Sequence, residues 1–415
     1  MPRSLSSRPR ARALHGLLWL GIACGTAAAV EPLRAPASEA TGDAGYAVAV
    51  AGGWVAVGIP GDDDGAGAVD LFDCRTARCV ATQRLHSADP DPERRFGAAL
   101  ALDATTLAVG EPGDGRGAAE VFVRSGDIWS RQARLSAFDG DNDDAFGIAL
   151  ALDGDTLLVG AAGAEQAQGA AYAFERSGGT WMQAARIDSG DGERGDRFGT
   201  SVALHGDTAL VGAPLRTAAA PGTAHGAAYV FTRGGGTWKE LQTLQSTTPL
   251  AGETFGWSVA LGSAHAAVGA PRADAQRGAI DVFAGTPGAM VWAQRLDDAG
   301  ALPGQRLGWS LALAGDTLVG GAPFAGTDAA AHCGRALRFV RDGSAWSAAP
   351  LADGQPAATE LAGWSVASNG VDTIIGAPAY ARPGQPHAGI ARRLGGDLAL
   401  FSDDYEQPDP ACGAP

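Results

Sequence analysis

FGTSVALHGDTALVGAP, residues 198–214, is the stretch from which the rest of the chain can be read. It opens on Phe198-Gly199, runs through two short apolar segments on either side of His205-Gly206-Asp207, and closes on Gly212-Ala213-Pro214. Within each segment large residues alternate with Ala or Gly, the two-residue period of a β-strand, and the Gly-Asp between them is hairpin-turn chemistry. Seven copies align without gaps, beginning at Ala44, Phe96, Phe146, Phe198, Phe255, Leu307 and Ala362 and ending at Pro60, Pro112, Ala162, Pro214, Pro271, Pro323 and Pro378. The second and the fifteenth positions are Gly in every copy.

A second signature follows each copy: a Gly, then five residues on an aromatic or Leu, as in Gly117/Phe122, Gly226/Phe231 and Gly389/Leu394. A Trp comes seven residues later in four repeats (Trp129, Trp181, Trp238, Trp346) and nine later in the fifth (Trp292). The first repeat has Cys79 in that slot and the seventh has Phe401. Each unit thus reads as four short strands, for which residues 201–204, 209–212, 227–232 and a segment starting at Trp238 are the pattern. Seven such units predict an all-β fold, a seven-bladed β-propeller of four-stranded blades spanning residues 30–406. Closing the sheets into a ring removes exposed strand edges, and no polar capping repeat of the kind an open solenoid needs is present. Two segments compete for the outermost strand of the seventh blade: Val30–Ala35, where Leu33 lies as far ahead of its copy as Leu135 does of the third, and Phe401–Glu406. Residues 407–415 are left as a tail.

The chain has 415 residues, a formal charge of −15, and Lys239 as its one lysine. Such an acidic balance argues against nucleic acid or an anionic membrane as partner. Residues 1–29 read as a signal peptide: Arg3, Arg8, Arg10 and Arg12 precede the apolar run Ala13–Ala23, and Ala27-Ala28-Ala29 offers a cleavage site. A lipoprotein anchor at Cys24 is the alternative, weakened by Gly21 where such sites favour Leu. The apolar run is too short to span a bilayer, and no membrane insertion is expected. Localisation is therefore read as secreted, periplasmic or cell-surface. Of the four remaining cysteines, Cys74 and Cys79 suit the two arms of one hairpin and a disulfide, which would stand in for the packing of the missing Trp. Cys333–Cys412 follows by elimination.

The pairing of Phe-Gly with Gly-Ala-Pro at this spacing resembles the FG-GAP repeat, which builds the propeller of integrin α-subunits and of exported bacterial proteins. ALDGDTLLVGAA at 151–162, GAAYVF at 226–231 and the Trp that follows are similar to the bacterial form. The resemblance covers residues 44 to about 401. It implies a propeller used for extracellular binding or adhesion, usually without catalysis. It does not carry the family's calcium sites over. Where the integrin-type repeat holds an Asp-x-Asp-x-Asp-Gly loop, this chain has a short turn such as Asp153-Gly154-Asp155, which cannot supply the roughly six to eight oxygens calcium takes.

Strand alternation places the loops after Gly-Ala-Pro on the same face as the loops between blades. That face carries the longest loops (215–225, 324–333, 379–388) and most acid clusters: Asp62-Asp63-Asp64; Asp89, Asp91 and Glu93; Asp139, Asp141, Asp143 and Asp144; Asp188, Asp191, Glu193 and Asp196. Variable loops on a rigid scaffold are where binding commonly sits, while an acidic rim that only confers solubility is the plain alternative. Asp139, Asp141 and Asp143 have the first spacings of a calcium loop, but its twelfth position is Leu150 rather than a bidentate Glu, so no cofactor is assigned. Arg194-Gly195-Asp196 reads as a turn into Phe198 before it reads as a displayed recognition tripeptide. His205 and His265 fall at turns, and the seven histidines show no metal-ligand or nucleophile spacing. Trp129, Trp181, Trp238, Trp292 and Trp346 recur once per blade and read as packing. Trp257, Trp309 and Trp364 follow the repeat Gly in three consecutive blades, and form either a shared aromatic surface for a sugar or protein or packing between blades.

The resulting expectation is a monomeric, exported, non-catalytic propeller that recognises an extracellular protein or glycan. The alternatives are a propeller lyase or hydrolase acting on extracellular polymer, and a structural envelope component.

Overall fold

A computed structural model describes residues 30–33, 42–113, 115–217, 224–326, 332–349, 351, 360–381 and 388–395. The leader with Cys24, the Phe401–Glu406 strand candidate, Cys412 and the tail lie outside the described residues. Seven antiparallel four-stranded sheets stand in a ring. Six run in chain order. In the fourth blade the strands are Ser201–His205, Thr208–Ala213, Ala227–Gly234 and Thr237–Leu244, from the axis outward. In the seventh blade the outermost strand is Val30–Leu33, paired antiparallel with Ile390–Leu394 through Leu33↔Ala391 and Val30↔Leu394. The latch left open by the sequence is therefore N-terminal. Leu33 is buried with Val48 and Phe72 of the first blade, so one short strand ties the last blade to the first.

The repeat residues explain the ring. Phe198 lies fully buried with its ring edge-on to Phe231, centroids 5.9 Å apart, and Phe96–Phe122, Phe146–Phe174 and Phe255–Phe283 repeat that pairing. The Gly at position two has φ between +84° and +93° in all seven copies, a region open to Gly at little cost. Its carbonyl is pressed against the Gly at position fifteen of the preceding blade, so neither position has room for a side chain. In blades four to seven, Ser201, Ser258, Ser310 and Ser365 each donate a hydrogen bond to the same carbonyl of the next blade.

The Trp slot needs one correction. Trp129, Trp181 and Trp346 are buried in the outermost strands, and Trp238 is half-buried. Trp292 is 42% exposed, and Met290 is buried in its stead. The slot is fixed by a glutamine clamp. The Gln83 side chain binds the backbone N–H and C=O of Trp129, Gln294 those of Trp346, and Gln242 those of Met290. Met290 stands seven residues after Phe283, so the spacing holds while the residue changes. Cys79 holds the slot in the first blade, disulfide-bonded to Cys74 and packed against the Phe72 cluster. Cys333 is buried and disulfide-bonded.

Candidate functional site

The residue before each repeat copy (Asp43, Arg95, Ala145, Arg197, Thr254, Arg306, Leu361) has φ between +54° and +61°. This left-handed residue and the glycine after it make a tight turn at the axis end of each innermost strand. The turn is closed by Tyr46 N–H to Asp43 C=O, Trp257 to Thr254 and Trp364 to Leu361, each 3.1 Å. It presents position three of the repeat at the mouth of the ring, on the face that also bears the long loops.

Position three is Tyr46, Ala98, Ile148, Thr200, Trp257, Trp309 and Trp364 around the ring. The aromatic members occupy four successive blades: five, six, seven and one. They touch in order. Ring centroids are 4.8 Å apart for Trp257–Trp309, 4.9 Å for Trp309–Trp364 and 5.6 Å for Trp364–Tyr46, with planes tilted by 43° to 50°. Phe324, the first residue after Gly-Ala-Pro in blade six, adds edge-on contacts at 5.5 Å from Trp309 and 6.5 Å from Trp364. All five side chains are half-buried. The three tryptophans singled out by spacing are thus brought together. Tyr46 and Phe324 were missed: a Tyr in place of Trp at position three carries the same signal, but the cyclic adjacency of blades seven and one shows only once the ring is closed.

Guanidinium groups flank the crescent. Arg306 lies 4.6 Å from the Phe324 centroid and 5.8 Å from that of Trp309, and Arg95 lies 5.2 Å from Tyr46. Beyond Tyr46, Arg95, Asp43, Glu93 and Gly61 line a shallow cleft of about 420 Å³. A second cleft, about 480 Å³, lies between Arg277, Arg295 and Asp297 on the outer part of the face.

The acid clusters are largely engaged. Asp62 and Asp70 face Arg84, Asp89 and Asp91 face Arg94, and Asp191 binds Arg216 and the Tyr229 hydroxyl. Of the calcium candidates, Asp139 is held by Arg186 and Asp141 donates its N–H to Asp144. Among the described residues no three Asp, Glu, His or Cys side chains group as metal ligands. Asp196 is 2% exposed and accepts the Glu193 N–H, so the Arg194-Gly195-Asp196 tripeptide is a turn whose acid points inward. His205 is exposed, and His265 packs edge-on to Trp346 at 5.7 Å.

One acid pair went unnoticed in the sequence. Glu111 replaces the Ala of Gly-Ala-Pro in the second copy, and it meets Glu120 of the next strand; both are 0% exposed. The Ser87 hydroxyl donates to both carboxyls, and Arg134 reaches both. Burial, offset in part by Arg134 and reinforced by Glu120, pushes Glu111 up to about 7. Sealed from solvent, the pair ties the loop leaving blade one to blade two and offers nothing to a substrate.

Two segments, residues 129–174 and 181–231, match the family model of the FG-GAP repeat. They span blades two to four. No curated protein matches the sequence. Among solved structures, one similar chain is a protein from Bacteroides fragilis provisionally assigned as a 6-phosphogluconolactonase. It is 14% identical, with a TM-score of 0.49 over 72% of this chain and 80% of that one. The chain is a seven-bladed β-propeller that carries FG-GAP repeats.

Proposed function

We propose that this propeller is a non-catalytic recognition module that binds an extracellular protein or glycan at the mouth of the ring. The observation that carries the reading is the break in symmetry at position three. Four successive blades place an aromatic side chain there and three place Ala98, Ile148 and Thr200, although the same left-handed residue and glycine precede it in all seven. Ring closure does not require large rings at this position, since the small residues close their blades equally well. Half-exposed aromatic clusters rimmed by polar groups are typical of binding surfaces. The Cys74–Cys79 bridge favours an oxidising compartment, and export with the 1–29 leader fits it.

The test is to screen labelled mature protein on glycan and extracellular-protein arrays beside the triple variant Trp257→Ala/Trp309→Ala/Trp364→Ala. Binding that is lost in the variant, with far-UV circular dichroism unchanged, supports the reading. Binding that survives in the triple variant places recognition elsewhere and defeats it.

A further inference from the structure

The arginines beside the crescent, like Arg78, Arg116, Arg124, Arg194, Arg197 and Arg338 elsewhere, stand outside the ion pairs of the described chain. Throughout the described chain most arginines are in ion pairs; those of the outermost strands reach buried acids such as Asp70, Glu111 and Asp281. Arg95, Arg272 and Arg306 have no carboxylate within ion-pair distance among the described residues, in a chain whose net charge is −15. Arg306 stacks on aromatic rings and gives one N–H to the neutral Gln276 side chain. Burial, and with it the positive charge of Arg272, lowers its affinity for the proton. Arg306 and Arg272 thus bring two guanidinium groups together at one flank without an ion-paired acid, while Arg95 at the other shares its cleft with Asp43 and Glu93.

We propose that the crescent Trp257–Trp309–Trp364–Tyr46, with Arg306 and Arg272 at one flank and Arg95 at the other, binds an acidic oligosaccharide, a chain of uronic-acid residues. The inference rests on the recognition reading above and names the ligand class of that site. Three features select it. The steps between ring centroids, 4.8–5.6 Å, are close to the advance of one pyranose along an oligosaccharide, so successive sugar rings can set their C–H faces on successive aromatic rings. The cations at both flanks lie where carboxylates of such a chain would project, and a guanidinium fork fits a carboxylate. The backbone at the mouth is spoken for: the N–H groups of Tyr46, Trp257 and Trp364 are bonded within their turns and that of Trp309 to the Gly321 carbonyl of the neighbouring strand, which leaves none to pair with an extended peptide. None of the three indole N–H groups is shut off from solvent without a partner, so they remain able to reach sugar hydroxyls. Across the axis, Ala98, Ile148 and Thr200 leave room for the ligand's other edge.

The experiment is titration calorimetry of the mature protein with galacturonate, mannuronate and glucuronate oligosaccharides. The same sugars as uncharged methyl esters, and an oligoglutamate peptide of equal charge, serve as comparisons. The inference expects at least one uronate to bind and its ester to bind about tenfold more weakly or less. It expects affinity to fall as salt rises. The double variant Arg95→Gln/Arg306→Gln should match the ester's weakness on wild type, while keeping the wild-type melting temperature. Equal binding of uronate and ester, lost in Trp309→Ala, would overturn the acidic ligand and leave the recognition surface standing. Binding of oligoglutamate but no saccharide would overturn it in favour of a peptide. Binding to no member of the panel would overturn it outright, and the array comparison would then decide the recognition reading by itself.

Discussion

The carbonyl oxygen of Gly45 lies 2.0 Å from where a β-carbon on Gly376 would stand. These two glycines, one in the first repeat copy and one in the last, meet because blade seven abuts blade one. The same contact recurs at every blade junction, with Gly58 against Gly97 and Gly212 against Gly256 among them. The two invariant positions of the repeat are thus two halves of one inter-blade contact.

Gly376→Ala should therefore destabilise strongly. The listener to the added methyl is backbone, which cannot swing aside, and overpacking of this kind costs about 1–3 kcal/mol or more. Gly234→Ala, at a hairpin end with open space around it, is the control and should shift stability by less than about 0.5 kcal/mol. Urea denaturation of both variants checks the contrast.

Leu33→Ala tests the N-terminal latch. Leu33 is buried against blade one residues, and large-to-small changes at such sites cost about 2–5 kcal/mol. Loss of the strand also bares the edge of Ile390–Leu394, so the variant should aggregate below its unfolding temperature. Light scattering during a thermal ramp reads this; an unchanged profile would mean that the strand does not hold the ring.

Replacing the Cys74–Cys79 bridge by serines should cost about 2 kcal/mol. The closed loop is short, with a sequence separation of 5, so little chain entropy is at stake. Calorimetric melting of the double serine variant gives the figure.

Glu111 gives a pH dependence of defined sign. Its folded-state value, pushed up to about 7, stands above its ordinary value of 4.5. Between these values the folded chain holds a proton that the unfolded chain has released, so stability falls as pH rises through that window and stays lowered above it. Glu111→Gln keeps a partner for Ser87 and removes the penalty. It should raise the melting temperature at pH about 8, with the gain fading toward pH about 4.5. A gain of equal size at both ends would place the effect in packing instead of titration.

The ring was legible because its rules are local. Phe-Gly, Gly-Ala-Pro and the signature glycines repeat at fixed spacing, and each answers to a backbone constraint at one blade junction. Where the residue type drifted, spacing was the better guide: Met290 keeps the slot that Trp292, two residues on, was expected to fill. What sequence could not show were contacts between positions far apart in the chain. Tyr46 and Trp364 touch only because the ring closes, and Glu111 meets Glu120 only because two neighbouring strands turn both acids inward. The acid clusters looked like a free rim because their arginine partners sit on other strands, as Arg186 does for Asp139.

The claim that matters most is that recognition takes place on the aromatic crescent. Its most direct measurement is the set of indole N–H resonances of isotopically labelled protein, recorded while a binder found on the arrays is added. The account predicts that the signals of Trp257, Trp309 and Trp364 shift together with saturation, while those of the buried Trp129, Trp181 and Trp346 stay in place. Saturable binding that leaves the three crescent signals unmoved would contradict it.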